Sequence, residues 1–220
     1  MIEARYPSYK DLDVFIDVER LTGLDAFIAE RLRQRVAASE DRRFYTGPFL
    51  FDAEAPVRPG SRMVALSRSR APENYYDLDR IELWEPTEEA DEFEPLMDFI
   101  ATLPFAATAR ILIMYDGEGR AVSAHKDHDS PELCHEFIWF RTNRGKPFYM
   151  LNTDTGERLT VAGHAAWFDT VNQFHGADAT GELSFSIRVD GVFSDAFRDQ
   201  IPFPEAGRAA APSLWANMDR

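Results

Sequence analysis

Two histidines and one carboxylate are the side chains that this sequence could bring together for chemistry. His125 and Asp127 stand two apart in Ala124-His125-Lys126-Asp127, inside a stretch that alternates as a strand does. Successive side chains of a strand point to opposite faces, so these two are expected on the same one. His175 follows fifty residues later, in a polar turn behind Trp167-Phe168-Asp169-Thr170. Two imidazoles and a carboxylate converging on one point form the set that holds iron(II) while leaving coordination positions open. Arg188, on Ser184-Phe185-Ser186-Ile187-Arg188, adds a guanidinium, which suits the far carboxylate of a chelating co-substrate through paired, charge-assisted hydrogen bonds. An H-x-D by itself is a weak signal in a chain with five histidines. The plain alternatives are a surface His125 and a His175 satisfied within its turn. Context favours the metal. A glycine turn precedes the pair and a cation-bearing strand follows the second histidine. His128 and Asp129 adjoin the motif, and His128 faces away from Asp127 on a strand, so both are expected at the rim.

The elements around these residues change character along the chain. Leu12 to Val18 alternates as a short strand would. A helix opens at Thr22 or Asp25 and carries Leu24, Phe27, Ile28, Leu32 and Val36 on one face, ending at Ser39-Glu40-Asp41. Short β-like pieces follow, Pro48 to Phe51 and Ser61 to Ser69, with Arg62, Arg68 and Arg70 among them. Glu85 to Glu94 reads as an acidic connecting loop, and a second helix with Pro95 in its first turn runs to a stop at Pro104. From Arg110 the pattern is strand after strand: Ile111 to Tyr115, Ala121 to Asp127, Cys134 to Thr142, Phe148 to Leu151, Arg158 to Val161, Ala165 to Asp169 and Leu183 to Val192. Turn sequences such as Asp116-Gly117-Glu118-Gly119 and Asn143-Arg144-Gly145 separate them. Short strands at this spacing predict a mainly β fold with flanking helices, a sandwich or barrel of jelly-roll type.

Composition bounds the rest. The 220 residues, 45% hydrophobic and 28% charged, are globular in character, and a chain of this length buries about 70% of its unfolded surface. A net charge of −14 disfavours nucleic-acid partners, which call for basic stripes. No apolar run reaches the roughly 18 residues that a membrane span needs, and the N-terminus lacks the apolar core of a signal peptide. A single cysteine, Cys134, excludes an internal disulfide framework and suits a reducing cytoplasm, the expected location. Cys134 itself reads as a small buried hydrophobe. Trp215 in the Ala/Pro-rich tail is expected to pin that tail to the body or to a second subunit of a homodimer.

Over residues 96–194 the sequence resembles the iron(II)/2-oxoglutarate-dependent dioxygenases, in the branch of aspartyl/asparaginyl β-hydroxylases and bacterial cis-proline hydroxylases. The likeness rests on Ala124-His125-Lys126-Asp127, the strand His135 to Asn143, the Gly163 turn leading to Trp167-Phe168-Asp169, and His175 with Arg188. It implies a double-stranded β-helix core with His125, Asp127 and His175 as iron ligands. Two departures stand out. The branch places its 2-oxoglutarate arginine about ten residues after the second histidine, where this chain has Ser186 nearby and Arg188 thirteen residues on. It also carries an Arg and, two later, a His where this chain has His135 and Phe137. The co-substrate contacts expected here are therefore Arg188, Ser186 and His135. Candidates toward the substrate are Arg62, Arg68 and Trp139. The expected organisation is one domain: 1–105 as support and substrate cover, 106–195 as catalytic core, and 196–220 as an extension. The implied activity is hydroxylation of a C–H bond in a small polar substrate, a free or carrier-tethered amino acid or derivative, with O2 and 2-oxoglutarate as co-substrates. Halogenation is disfavoured, because related halogenases have a small residue in place of the carboxylate supplied here by Asp127. The rival class is a non-oxidative, cupin-like metal-binding protein or isomerase, and a weaker third is a peptide-modifying hydroxylase.

Overall fold

A computed structural model describes residues 9–38, 61–71, 77–128 and 136–203. The expected strand at Pro48 to Phe51, Cys134, His135 and Trp215 lie outside the described residues. The chain begins with β1 (Tyr9–Asp11), α1 (Val18–Gly23) and α2 (Asp25–Ala38). Leu12 to Val18 is not a strand: a 3-10 turn occupies Asp13–Phe15, and Asp17 then caps α1 by accepting from the Arg20 N–H at 2.9 Å. The alternation was misleading because Leu12 is buried as a turn residue, whereas Val14 projects into solvent. In α2 the expected face is inward, with Ile28 and Leu32 fully buried.

Next come β2 (Ser61–Ala65), β3 (Ser67–Ser69), β4 (Trp84–Pro86), α3 (Glu89–Glu92) and α4 (Glu94–Ile100). The stretch expected as an acidic loop is thus largely regular. It pairs β4 with β3 and then buries Ala90 and Phe93, two apolar residues among six acids between 85 and 94. Helix α4 has Pro95 at its start and buries Leu96, Phe99 and Ile100, as its pattern predicts.

The remaining strands are β5 (Phe105–Asp116), β6 (Val122–His125), β7 (Phe137–Phe140), β8 (Phe148–Leu151), β9 (Arg158–Thr160), β10 (Ala165–Phe168), β11 (Phe174–Ala177) and β12 (Ser184–Phe193), followed by α5 (Asp195–Arg198). They form a six-stranded sheet in the order β1-β10-β7-β12-β5-β2 and a four-stranded sheet in the order β6-β11-β8-β9. All pairings are antiparallel. From β5 to β12 the chain crosses between the two sheets at every connection but the β8–β9 hairpin. That path is a double-stranded β-helix, the expected jelly roll.

Aromatic contacts close the gap between the sheets. Trp139 of β7 stacks on Phe148 of β8 with centroids 4.3 Å apart, and Phe168 of β10 lies 4.4 Å from the ring of His175 in β11. The outer face of the larger sheet is covered by helix, with Phe99 of α4 edge-on to Phe140 at 5.5 Å. Strands covered on both faces read as continuous apolar runs, which explains Ile111 to Ile113 and Phe137 to Phe140. No helix among the described residues is long and apolar enough to cross a membrane.

Candidate metal centre

His125 ends β6 and stands directly opposite His175 of β11 across the ladder. The two rings lie 4.5 Å apart. Asp127 sits just past the end of β6, in a bend. Its position comes from the β10–β11 turn, because the N–H groups of Asp127 and His128 both donate to the Thr170 carbonyl at 2.9 and 3.0 Å. Asp169 builds that turn. Its carboxylate accepts from the N–H groups of Val171 and Asn172 and from the Asn172 amide, at 2.6 to 3.1 Å, in the manner of an Asx turn. Same-strand alternation therefore predicts the right neighbours for a partly wrong reason.

Oδ1 of Asp127 lies 3.4 Å from Nε2 of His175 and 3.6 Å from Nε2 of His125. All three ligand atoms fall within 4.8 Å of one another. Each imidazole turns its Nδ1 to a backbone carbonyl, His125 to Ser123 at 2.9 Å and His175 to Gln173 at 3.3 Å. A carbonyl can only accept, so both hydrogen bonds place the proton on Nδ1 and leave the Nε2 lone pairs facing the centre. Donors of this kind, spaced as atoms bonded at about 2.1 Å to one ion would be, fit a divalent transition metal. Among the described residues no other His, Cys, Asp or Glu joins the set.

The other carboxylate oxygen is taken. Arg188 Nη1 donates to Asp127 Oδ2 at 2.7 Å, and Arg188 Nε donates to Asp190 Oδ1 at 2.9 Å. Nη2 also lies 2.9 Å from that oxygen but off hydrogen-bond geometry, and it has no hydrogen-bond partner. Asp190 is completely buried and accepts from Arg110 Nε through Oδ2 at 2.8 Å. The guanidinium of Arg188 rests on the Phe137 ring at 4.0 Å. Arg110, Asp190, Arg188 and Asp127 thus form a chain of alternating charge from the sheet to the centre. Burial works to raise the Asp127 carboxyl, but His175, Arg188 and His125 outweigh it and hold the group far below the usual carboxylate range. Asp190 is held down in the same way by Arg110 and Arg188 against its own burial. Burial also depresses the imidazole of His128, which is half-buried beside the motif.

The other expected residues fall in different places. Ser186 shares the inward phase of β12 with Arg188. Trp139 is buried between the sheets, beside the centre through Phe148, whose ring lies 5.7 Å from that of His175. Arg62 is placed by its backbone alone, opposite Tyr115 on β2. Arg68 is exposed on the β3–β4 hairpin, where it and Arg70 pair with Glu85 at 2.8 and 2.9 Å. Asp169 and Asp190 carry no signal of their own in the sequence beyond a polar residue next to a turn and a carboxylate two after an arginine.

No family model matches the chain, and no curated protein matches it. Its fold resembles solved structures. A prolyl-4-hydroxylase of Pseudomonas putida is 15% identical, covering 85% of this chain and 93% of its own, at a TM-score of 0.45. A Trichoplax adhaerens prolyl hydroxylase, solved with a hypoxia-inducible-factor peptide, is 10% identical over 88% and 87%, at 0.49. The epimerase SnoN, solved with Fe3+, alpha-ketoglutarate and nogalamycin RO, is 14% identical over 93% and 90%, at 0.45. Similarity at this level decides nothing about reaction or substrate. The chemistry has to be read from the side chains.

Proposed function

We propose that the chain is an iron(II)- and 2-oxoglutarate-dependent oxygenase that hydroxylates a C–H bond of a small polar substrate. The observation that carries this reading is the convergence of His125 Nε2, Asp127 Oδ1 and His175 Nε2 with no fourth protein ligand among the described residues. A three-ligand set leaves room for a chelating co-substrate and oxygen, whereas a structural metal site is closed by a full set of protein donors. Bound iron(II) supplies the redox chemistry, in which O2 oxidises 2-oxoglutarate to succinate and CO2 and delivers one oxygen atom to the substrate C–H bond.

The protein's own work is arrangement. The Ser123 and Gln173 carbonyls keep each imidazole in the tautomer that presents Nε2. Arg188 keeps Asp127 ionised and turned so that Oδ1 faces the histidines. Ser186 offers a hydroxyl on the face of β12 that carries Arg188, as a donor to the co-substrate. Trp139, Phe148 and Phe168 wall the centre with apolar surface that excludes water. The substrate class, an amino acid or derivative, free or carrier-tethered, follows the resemblance to the β-hydroxylase and cis-proline hydroxylase branch.

The test is an anaerobic titration with Fe(II) and 2-oxoglutarate, followed by exposure to air. A weak visible charge-transfer band and succinate release are expected. Absence of both overturns the reading. Retained metal without oxygen uptake would instead indicate the non-oxidative, cupin-like class.

A further inference from the structure

We infer that Asp190 is a positioning residue of the metal centre, acting through Arg188, and that Arg110 and Ser67 fix it in place. The inference rests on the metal reading of His125, Asp127 and His175, not on the choice of co-substrate. Asp190 is not among the donors that converge on the centre. Its Oδ1 accepts from Arg188 Nε at 2.9 Å, and Arg188 Nη1 in turn reaches Asp127 Oδ2 at 2.7 Å.

The need for such a residue is electrostatic. Among the described residues Asp127 is the one carboxylate of the set, and Arg188 puts a positive charge against it. A divalent ion needs the same carboxylate, and like charges at that separation repel strongly in a low-dielectric interior. Asp190, with no exposed surface, sets a negative charge on the far side of the guanidinium. It offsets that repulsion and holds Arg188 by its Nε edge, while the Phe137 ring supports the plane from 4.0 Å. Held in this way, the fork presents Nη1 to Oδ2 and leaves Oδ1 to the histidines.

An irregularity in the larger sheet braces Asp190. The β12–β5 ladder shifts register between Val189, opposite Ile111, and Gly191, opposite Thr108, so Ala109 and Arg110 together stand opposite Asp190. A bulge of this kind re-aims side chains beside a site. Here Arg110 Nε donates to Asp190 Oδ2 at 2.8 Å, and both side chains are buried. The backbone on either side of Arg110 is tied to the buried hydroxyl of Ser67 on β3. That hydroxyl donates to the Ala109 carbonyl at 2.6 Å and accepts from the Ile111 N–H at 2.8 Å. A continuous line of contacts thus runs from Ser67 through Arg110, Asp190 and Arg188 to a ligand carboxylate. Apolar side chains can replace a buried ion pair that serves stability alone. They could not pass a position on to Asp127.

The experiment is Co(II) binding, read by competition against a chromophoric chelator and by the d–d absorption of the loaded protein, with melting temperature in parallel. Wild type, D190N, R188Q, R110Q/D190N and R188Q/D190N are compared. D190N is expected to weaken Co(II) at least about tenfold, the usual scale for removing a group that orients a ligand, and to alter the d–d bands. R110Q/D190N leaves no orphaned Arg110 charge, and it stands as the deciding variant if D190N does not fold. It should regain stability yet keep the weakened affinity, which a merely structural role would not produce. Because Asp190 acts through Arg188, R188Q/D190N should bind Co(II) within about threefold of R188Q. Wild-type affinity and spectrum in D190N or in R110Q/D190N, or losses that multiply in R188Q/D190N, overturn the assignment. Wild-type protein that binds no Co(II) overturns the metal reading and the assignment together.

Discussion

A carboxylate has two oxygens, and it serves a metal through one of them only if something occupies the other. Arg188 Nη1, 2.7 Å from Asp127 Oδ2, does this, and Asp190 in turn holds Arg188. The expectation that Arg188 serves as a co-substrate anchor came from its face and its charge, which a sequence shows. Its partner is a matter of three-dimensional reach, which a sequence does not show. The two views predict different variants. On the proposed reading, Arg188→Gln should weaken metal binding by about 10- to 100-fold, the usual cost of removing a group that orients a ligand. Competition for Fe(II) or Zn(II) against a chromophoric chelator measures this directly. An unchanged metal affinity with weakened 2-oxoglutarate binding would return Arg188 to the anchor role.

At the scale of elements, the centre depends on how closely β6 and β11 approach. Gly176, next to His175, permits that approach. A Cβ at this position would lie 2.5 Å from the Tyr149 hydroxyl and 2.7 Å from the Val122 carbonyl. The tyrosine can swing aside, but the carbonyl belongs to the backbone of β6. Gly176→Ala should therefore push β6 away from β11 and separate His125 from His175. The expected result is a loss of metal affinity alongside about 1–3 kcal/mol of stability, the usual cost of overpacking. Metal titration and denaturant unfolding of the same variant measure the two. Gly119 has a related role at the other end of β6, where its φ of 55° closes the turn that leads in from β5.

For the whole molecule, the strand succession from β5 to β12 was legible because alternation and turn residues are local properties. The continuous apolar run Ile111 to Tyr115 is also what a strand covered on both faces requires. What was not legible depended on remote partners. Glu85 to Glu94 looks like a solvated loop until β3 offers an edge for Trp84 to Pro86, and until the core takes up Ala90 and Phe93. Leu12 to Val18 looks like a strand because its apolar residues are spaced by two, yet the sheet pairs with the residues just before it, Tyr9 to Asp11.

Strand β6 is four residues long and forms the border of the smaller sheet among the described residues. Its last residue is His125, whose cross-strand partner is His175. An ion shared by those two side chains would act as a rivet at the margin of a sheet, where backbone groups are otherwise poised to recruit another chain. Stripping the protein with a chelator should then do more than abolish turnover. The β6 end should fray and leave β11 open to strand addition, so that light scattering rises on warming well below the main unfolding transition and falls again when metal is restored. Equal scattering with and without metal would show that the margin is secured by the chain alone.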